Sequence, residues 1–192
     1  MDRRSQLLEV ALELINERGV RGASMRELAR RAGVDVRSAY YHFESKQDIL
    51  RSLFEQAGMM ALLVDPVPNE ILDLLGSAEP HDALLLIIEG ILQSLHDGAP
   101  YSRLIHGQVL VNDEDAKAVG DEMWARWGTQ LEVLVRAAKI APPDGAGAYA
   151  RMLRSLLWGV FNESQLTGEI ADPARRHARA IELTEMLTFR TA

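Results

Sequence analysis

Leu28-Ala29-Arg30-Arg31-Ala32-Gly33-Val34-Asp35 is the stretch whose reading decides the fold. A small residue at Ala29 lets two helices cross closely, Gly33 supplies a tight turn, and Val34 plugs the gap between them, which is the build of a helix-turn-helix. Just upstream, Ser24-Met25-Arg26-Glu27 has the spacing of a capping box, the serine accepting from first-turn amides while the glutamate reaches back. A helix that buries Met25, Leu28, Ala29 and Ala32 and stops at Gly33 is expected. Before it, Leu7, Ala11, Leu14 and Ile15 mark one face of a first helix ending near Arg18-Gly19. After it, Asp35 caps a short third helix through Tyr40 and Tyr41, and Ser45-Lys46-Gln47-Asp48 offers another capping box for a fourth helix running to about Val64.

Beyond Asp65-Pro66-Val67-Pro68, where proline disfavours helix, apolar residues continue at helical spacing. They predict helices at about 69–76, 81–97, 101–111, 114–140, 145–168 and 173–189, punctuated by Pro80, Gly98-Ala99-Pro100, Pro142-Pro143 and Asp172-Pro173. Strand-like alternation is missing, so the chain reads as all-α. The strongest stripe is Tyr149, Met152, Leu153, Leu156, Leu157, Val160 and Phe161 on one side of a long helix.

Composition excludes several classes of function. The 192 residues contain 47% hydrophobic and 26% charged residues, ordinary for a globular chain. Without any cysteine there are no disulfides, no thiolate catalysis and no cysteine-ligated metal. No apolar run approaches the roughly 20 residues of a membrane span, and Met1-Asp2-Arg3-Arg4 opens without an apolar signal core, so a cytoplasmic protein without membrane attachment is expected. The net charge is −7, yet residues 1–51 carry ten Lys/Arg against eight Asp/Glu. A mildly basic head on an acidic body binds nucleic acid only through a local surface.

That surface is the outer side of the third helix. With Ala39, Tyr40 and Phe43 leaning inward, Val36, Arg37, Ser38, Tyr41 and His42 are left outside. They offer a guanidinium for guanine edges or phosphates, a hydroxyl, a phenol, an imidazole and an apolar patch for thymine methyls. Lys46, at the start of the fourth helix, meets a phosphate through its ammonium and through the positive helix end; Ser24 and Arg26 do likewise from the second helix.

The run Gly22-Ala23-Ser24-Met25-Arg26-Glu27-Leu28-Ala29, then Ala32-Gly33-Val34, then Ala39-Tyr40-Tyr41-His42-Phe43-Glu44-Ser45-Lys46 and Ile49-Leu50 resembles the DNA-binding domain of the tetracycline-repressor (TetR) family over about residues 5–51. The resemblance implies a dimer, usually a repressor, whose recognition helix is the third. By position it assigns operator contacts to Val36, Arg37, Ser38, Tyr40, Tyr41, His42 and Lys46, supported by Ser24 and Arg26. Arg37 stands where many members have glycine or proline, so base readout there is this chain's own.

The resemblance divides the chain into a DNA-binding domain, residues 1–51, and a helical effector-binding and dimerisation domain, residues 52–192. It pairs the last two long helices with their symmetry mates, with Ser155, Trp158, Gly159, Asn162 and Leu166 as one face of a four-helix interface. His106 in an apolar stretch, with Met123, Trp124 and Trp127, are the candidate lining of a small-molecule pocket. The remaining histidines lack metal-ligand spacing, and no cofactor is expected. Asn112-Asp113-Glu114-Asp115 reads as a helix cap. The expected function is a dimeric repressor released from double-stranded operator DNA by a small effector. The rival is a dimeric DNA-binding or architectural protein without an effector. An enzyme comes third, because no nucleophile–base pair, phosphate loop or metal site is present.

Overall fold

The computed structural model describes residues 2–56, 67–101 and 113–188, and among them the chain is helical without a strand. Its helices are α1 Arg3–Arg18, α2 Met25–Ala32, α3 Val36–His42, α4 Lys46–Gln56, α5 Asn69–Ser77, α6 Pro80–Asp97, α7 Glu114–Ala137, α8 Ala146–Thr167 and α9 Pro173–Thr188. The chain divides into two compact units, Met1–Met60 with Gly98–Trp124, and Ala61–Asp97 with Ala125–Ala192.

In the first unit local chemistry sets the helix ends. The Asp2 carboxylate accepts from the Ser5 amide at 2.8 Å, Ser24 from Glu27 at 3.3 Å, Asp35 from Arg37 at 2.7 Å and Ser45 from Asp48 at 3.2 Å. Gly33 closes α2 at φ 66°, a left-handed conformation that costs glycine little, and the Val34 amide returns to the Ala29 carbonyl at 3.0 Å in a Schellman turn. Leu7, Leu8, Ala11, Leu14 and Ile15 of α1, Leu28 and Ala29 of α2, Ala39 and Phe43 at α3, and Ile49, Leu50 and Leu53 of α4 are fully buried. Arg4 closes one side of this core: its guanidinium lies 4.8 Å above the Phe43 ring and donates to the buried Ser52 hydroxyl at 2.7 Å.

Two expectations fail here. Tyr40 does not lean inward with Ala39 and Phe43; it is 51% exposed, since one residue along a helix turns the side chain by about 100° from the buried Ala39. Ala32, expected in the core, is half-buried where the chain turns outward into Gly33.

The second unit packs α6 against α9 and α8. In α8 the buried face is Ala146, Ala150, Leu153, Leu157, Val160, Phe161 and Ser164. The expected stripe is therefore rotated. Small residues at 146 and 150 let the helix seat closely, leaving Tyr149 and Leu156 half-buried and Met152 exposed. Helix α7 ends at Ala137 rather than near 140, since Lys139 turns left-handed at φ 54° and Pro142-Pro143 follow. Apart from Tyr101, which ends the short turn Ala99–Tyr101, the helix expected at 101–111 lies outside the described residues, as does the expected extension of α4 to Val64.

Phe43→Ala removes a fully buried ring and the seat of Arg4. The expected loss is about 3–5 kcal/mol of unfolding free energy in urea titration, and a loss under about 1 kcal/mol would show that α3 is held elsewhere.

Candidate nucleic-acid interface

Seven residues cannot sustain an isolated helix in water, so α3 is shaped by its cap and its docking. Ala39 is its one fully buried residue. The side turned to solvent carries Tyr41, 86% exposed, with Tyr40, Arg37 and Val36 also exposed and Ser38 and His42 half-buried. The Tyr41 and His42 rings meet edge to face at 5.3 Å, which orients both at the end of the helix. Ser24 and Arg26 are exposed at the start of α2.

Charge is distributed unevenly around this surface. Glu27 accepts from Arg30 at 2.6 and 2.8 Å and from Arg18 at 3.1 Å, and the Arg30 hydrogen bonds, helped by the nearby guanidinium charges, push its carboxyl down to about 2. The Arg31 guanidinium grips Glu17 through two bonds of 2.5 Å. These arginines are neutralised on the protein itself. Among the described residues Arg26 and Arg37 form no ion pair, and both are exposed beside this surface, available to an external anion.

Lys46 has a partner that the sequence did not suggest. Its ammonium lies 2.6 Å from an Asp113 carboxylate oxygen, and the two side chains are 16% and 12% exposed. The other Asp113 oxygen accepts the Ala116 amide at 3.0 Å, so this residue is the helix cap expected from the acidic run and a lysine partner as well. Burial alone would raise the Asp113 carboxyl; hydrogen bonds from Lys46 and the Ala116 amide, with the Lys46 and Arg21 charges, hold it below the ordinary carboxylate value. Two further pairs flank it: Gln47 donates to Asp115 at 3.0 Å and Arg51 to Glu122 at 3.0 Å. Asp113, Asp115 and Glu122 escaped the sequence reading because they lie some seventy residues from their partners, and the only available signal was an acidic run already explained as a cap.

The candidate pocket and interface residues are placed as follows. His106 lies outside the described residues. Met123 is half-buried, Trp124 is partly exposed, and Trp127 is buried edge-on to Trp158 at 6.3 Å. A separate apolar cleft in the second unit encloses about 320 Å³ between α5 and α6, lined by Ile71, Leu74, Leu86, Gly90 and Leu134 among others, with Ser94 as its polar side chain. On α8, Ser155, Gly159, Asn162 and Leu166 fall on one stripe at helical spacing; Leu166 is 90% exposed, and a side chain at Gly159 would meet open space. Trp158, half-buried, packs against Trp127 and Phe161, its ring 5.4 Å from the latter. No group of three or more His, Asp or Glu among the described residues is placed to hold a metal ion, and no helix among them is long and apolar enough to cross a membrane.

The sequence profile of bacterial regulatory proteins of the tetR family matches residues 7–53, the segment that builds α1 to α4 up to Leu53. The fatty acid metabolism regulator protein of Bacillus subtilis is 37% identical over 170 residues, 87% of this chain and 84% of that protein. The chain belongs to the TetR family. The repressor KstR2 of Mycobacterium tuberculosis is 28% identical over 120 residues, 62% of this chain and 54% of the repressor; against the AcrR regulator of Shigella flexneri the chain spans 24% of the relative's length. Among solved structures, NalD of Pseudomonas aeruginosa, a secondary repressor of an efflux pump, superposes with a TM-score of 0.68 at 22% identity, covering 95% of this chain and 93% of NalD. A TetR-family chain carries an N-terminal helix-turn-helix and a helical C-terminal domain, and this chain has both.

Proposed function

We propose that the chain is a dimeric repressor that reads double-stranded operator DNA with residues 1–51 and answers a small effector through residues 52–192. The observation that carries this reading is the outward side of α3. Arg37, Tyr40, Tyr41 and their neighbours face water although nothing in the fold needs them there. An aromatic and cationic face that a protein leaves unburied on a buried scaffold is a binding surface. Membership of the TetR family favours an effector-responsive repressor over an architectural protein. Selection of bound duplexes from random DNA tests the reading: a palindrome with half-sites one helical turn apart, about 34 Å, is expected, and no preference for any duplex at low salt would refute it. Arg37→Ala is expected to change the recovered sequence at one position of each half-site while leaving binding to unrelated DNA nearly unaltered; an unchanged consensus would remove Arg37 from the base contacts.

For dimerisation, the stripe of exposed Ser155, Gly159 and Leu166 with half-buried Asn162 supports α8 as part of the interface, since an apolar Leu166 90% exposed calls for cover. Gly159→Arg tests it without touching the packed Trp158. Analytical ultracentrifugation is expected to show monomers with weakened operator binding, and a variant that stays dimeric would move the interface off this stripe.

For the effector, the apolar cleft fits a ligand with an aliphatic portion, in keeping with a relative named as a regulator of fatty acid metabolism. Gly90 sits mid-helix, where glycine costs about 1 kcal/mol relative to alanine, and a Cβ there meets nothing within 4 Å. Gly90→Leu fills that space. Operator binding should persist while release by aliphatic acids is lost; undiminished release would place the effector elsewhere.

A further inference from the structure

We propose that Asp113 is an internal competitor for the DNA backbone: its carboxylate holds the Lys46 ammonium that would otherwise grip a phosphate, and so it limits the strength of operator binding. The inference rests on the proposed role of Lys46 as a phosphate contact.

The geometry distinguishes this pair from an incidental surface bridge. In the pairs of Arg18, Arg30 and Arg31 with glutamates one partner is always 47% or more exposed, and ion pairs so open to water form and part freely. Lys46 and Asp113 are both withdrawn from solvent. The carboxylate is fixed from behind, because its second oxygen caps α7 through the Ala116 amide. The pairs Gln47 with Asp115 and Arg51 with Glu122 hold the same stretch of α4 beside the start of α7. Asp113 is thus a preorganised anion facing a cation that also serves the operator.

A phosphate that takes Lys46 must displace this carboxylate and leave it without its partner. The exchange swaps one anion for another, so Lys46 adds little net cation release and little net affinity. Removing the Asp113 charge while keeping its cap should release the ammonium. Asparagine does this, since it caps helices as well as aspartate. Asp113 is a positioning residue in this scheme, acting on DNA through Lys46.

The test is fluorescence anisotropy of the selected operator duplex and an unrelated duplex, titrated across a range of salt with the full chain. Asp113→Asn is expected to tighten both by about fivefold per subunit. The slope of log affinity against log salt should steepen by about one per subunit. Asp113→Ser, which also keeps a capping oxygen, should repeat the result, and Lys46→Ala combined with Asp113→Asn should match Lys46→Ala alone. Circular dichroism confirms the fold of each variant. Unaltered affinity and slope in both Asp113 variants would overturn the proposal. If Lys46→Ala nevertheless weakens all duplexes alike, only the competitor role falls and the operator reading stands. If adding Lys46→Ala leaves binding as tight as in Asp113→Asn alone, the phosphate contact and the competitor fall together.

Discussion

A seven-residue helix with one buried side chain has to be held from outside. Its internal hydrogen bonds are too few to offset the conformational entropy of ordering it. In this chain the task falls to the packing of α3 on α2 and the burial of Ala39 and Phe43, aided by the Asp35 cap and the Gly33 turn. The cation of Arg4 above the Phe43 ring finishes that seat. Everything the outer side of α3 offers to a nucleic acid is positioned by this small buried patch, whose members carry none of the recognition chemistry.

The electrostatics follow a similar division. An acidic chain is repelled by a polyanion at long range, so attraction depends on cations that the protein has not already neutralised. Glu27 and Glu17 engage three of the arginines around the helix-turn-helix, which fastens α2 to the end of α1 and removes these charges from general attraction. Among the described residues Arg26 and Arg37 are cations not neutralised in this way, and both stand exposed on the helix-turn-helix. A surface of this kind favours discrimination between sequences over indiscriminate adhesion to DNA.

How much of this was legible in the sequence depends on the range over which each feature is determined. The caps at Ser24, Asp35 and Ser45 and the stop at Gly33 were readable because each involves residues within about five positions. The existence and order of the helices followed from apolar spacing for the same reason. The seating of α8 did not, because hydropathy favoured Tyr149 and Met152 while close packing favoured Ala146 and Ala150, and only the neighbouring helices decide between these. Tyr40 was misplaced because a phenol with an apolar body and a polar tip suits a core edge or a surface, and its seven-residue helix is too short for spacing to decide. The partnership of Lys46 with Asp113 lies furthest out of reach, since no local pattern in either segment points to the other.

The separation of fold from recognition on α3 has a consequence for descent. Four of its seven residues, Val36, Arg37, Tyr40 and Tyr41, are exposed, so substitutions among them carry small stability costs. After duplication of the gene, one copy can exchange Arg37, Tyr41 or Val36 and acquire a new target while the scaffold stays intact. Diversity of operators is therefore accessible by single steps, and the buried patch beneath is the part that selection must keep constant.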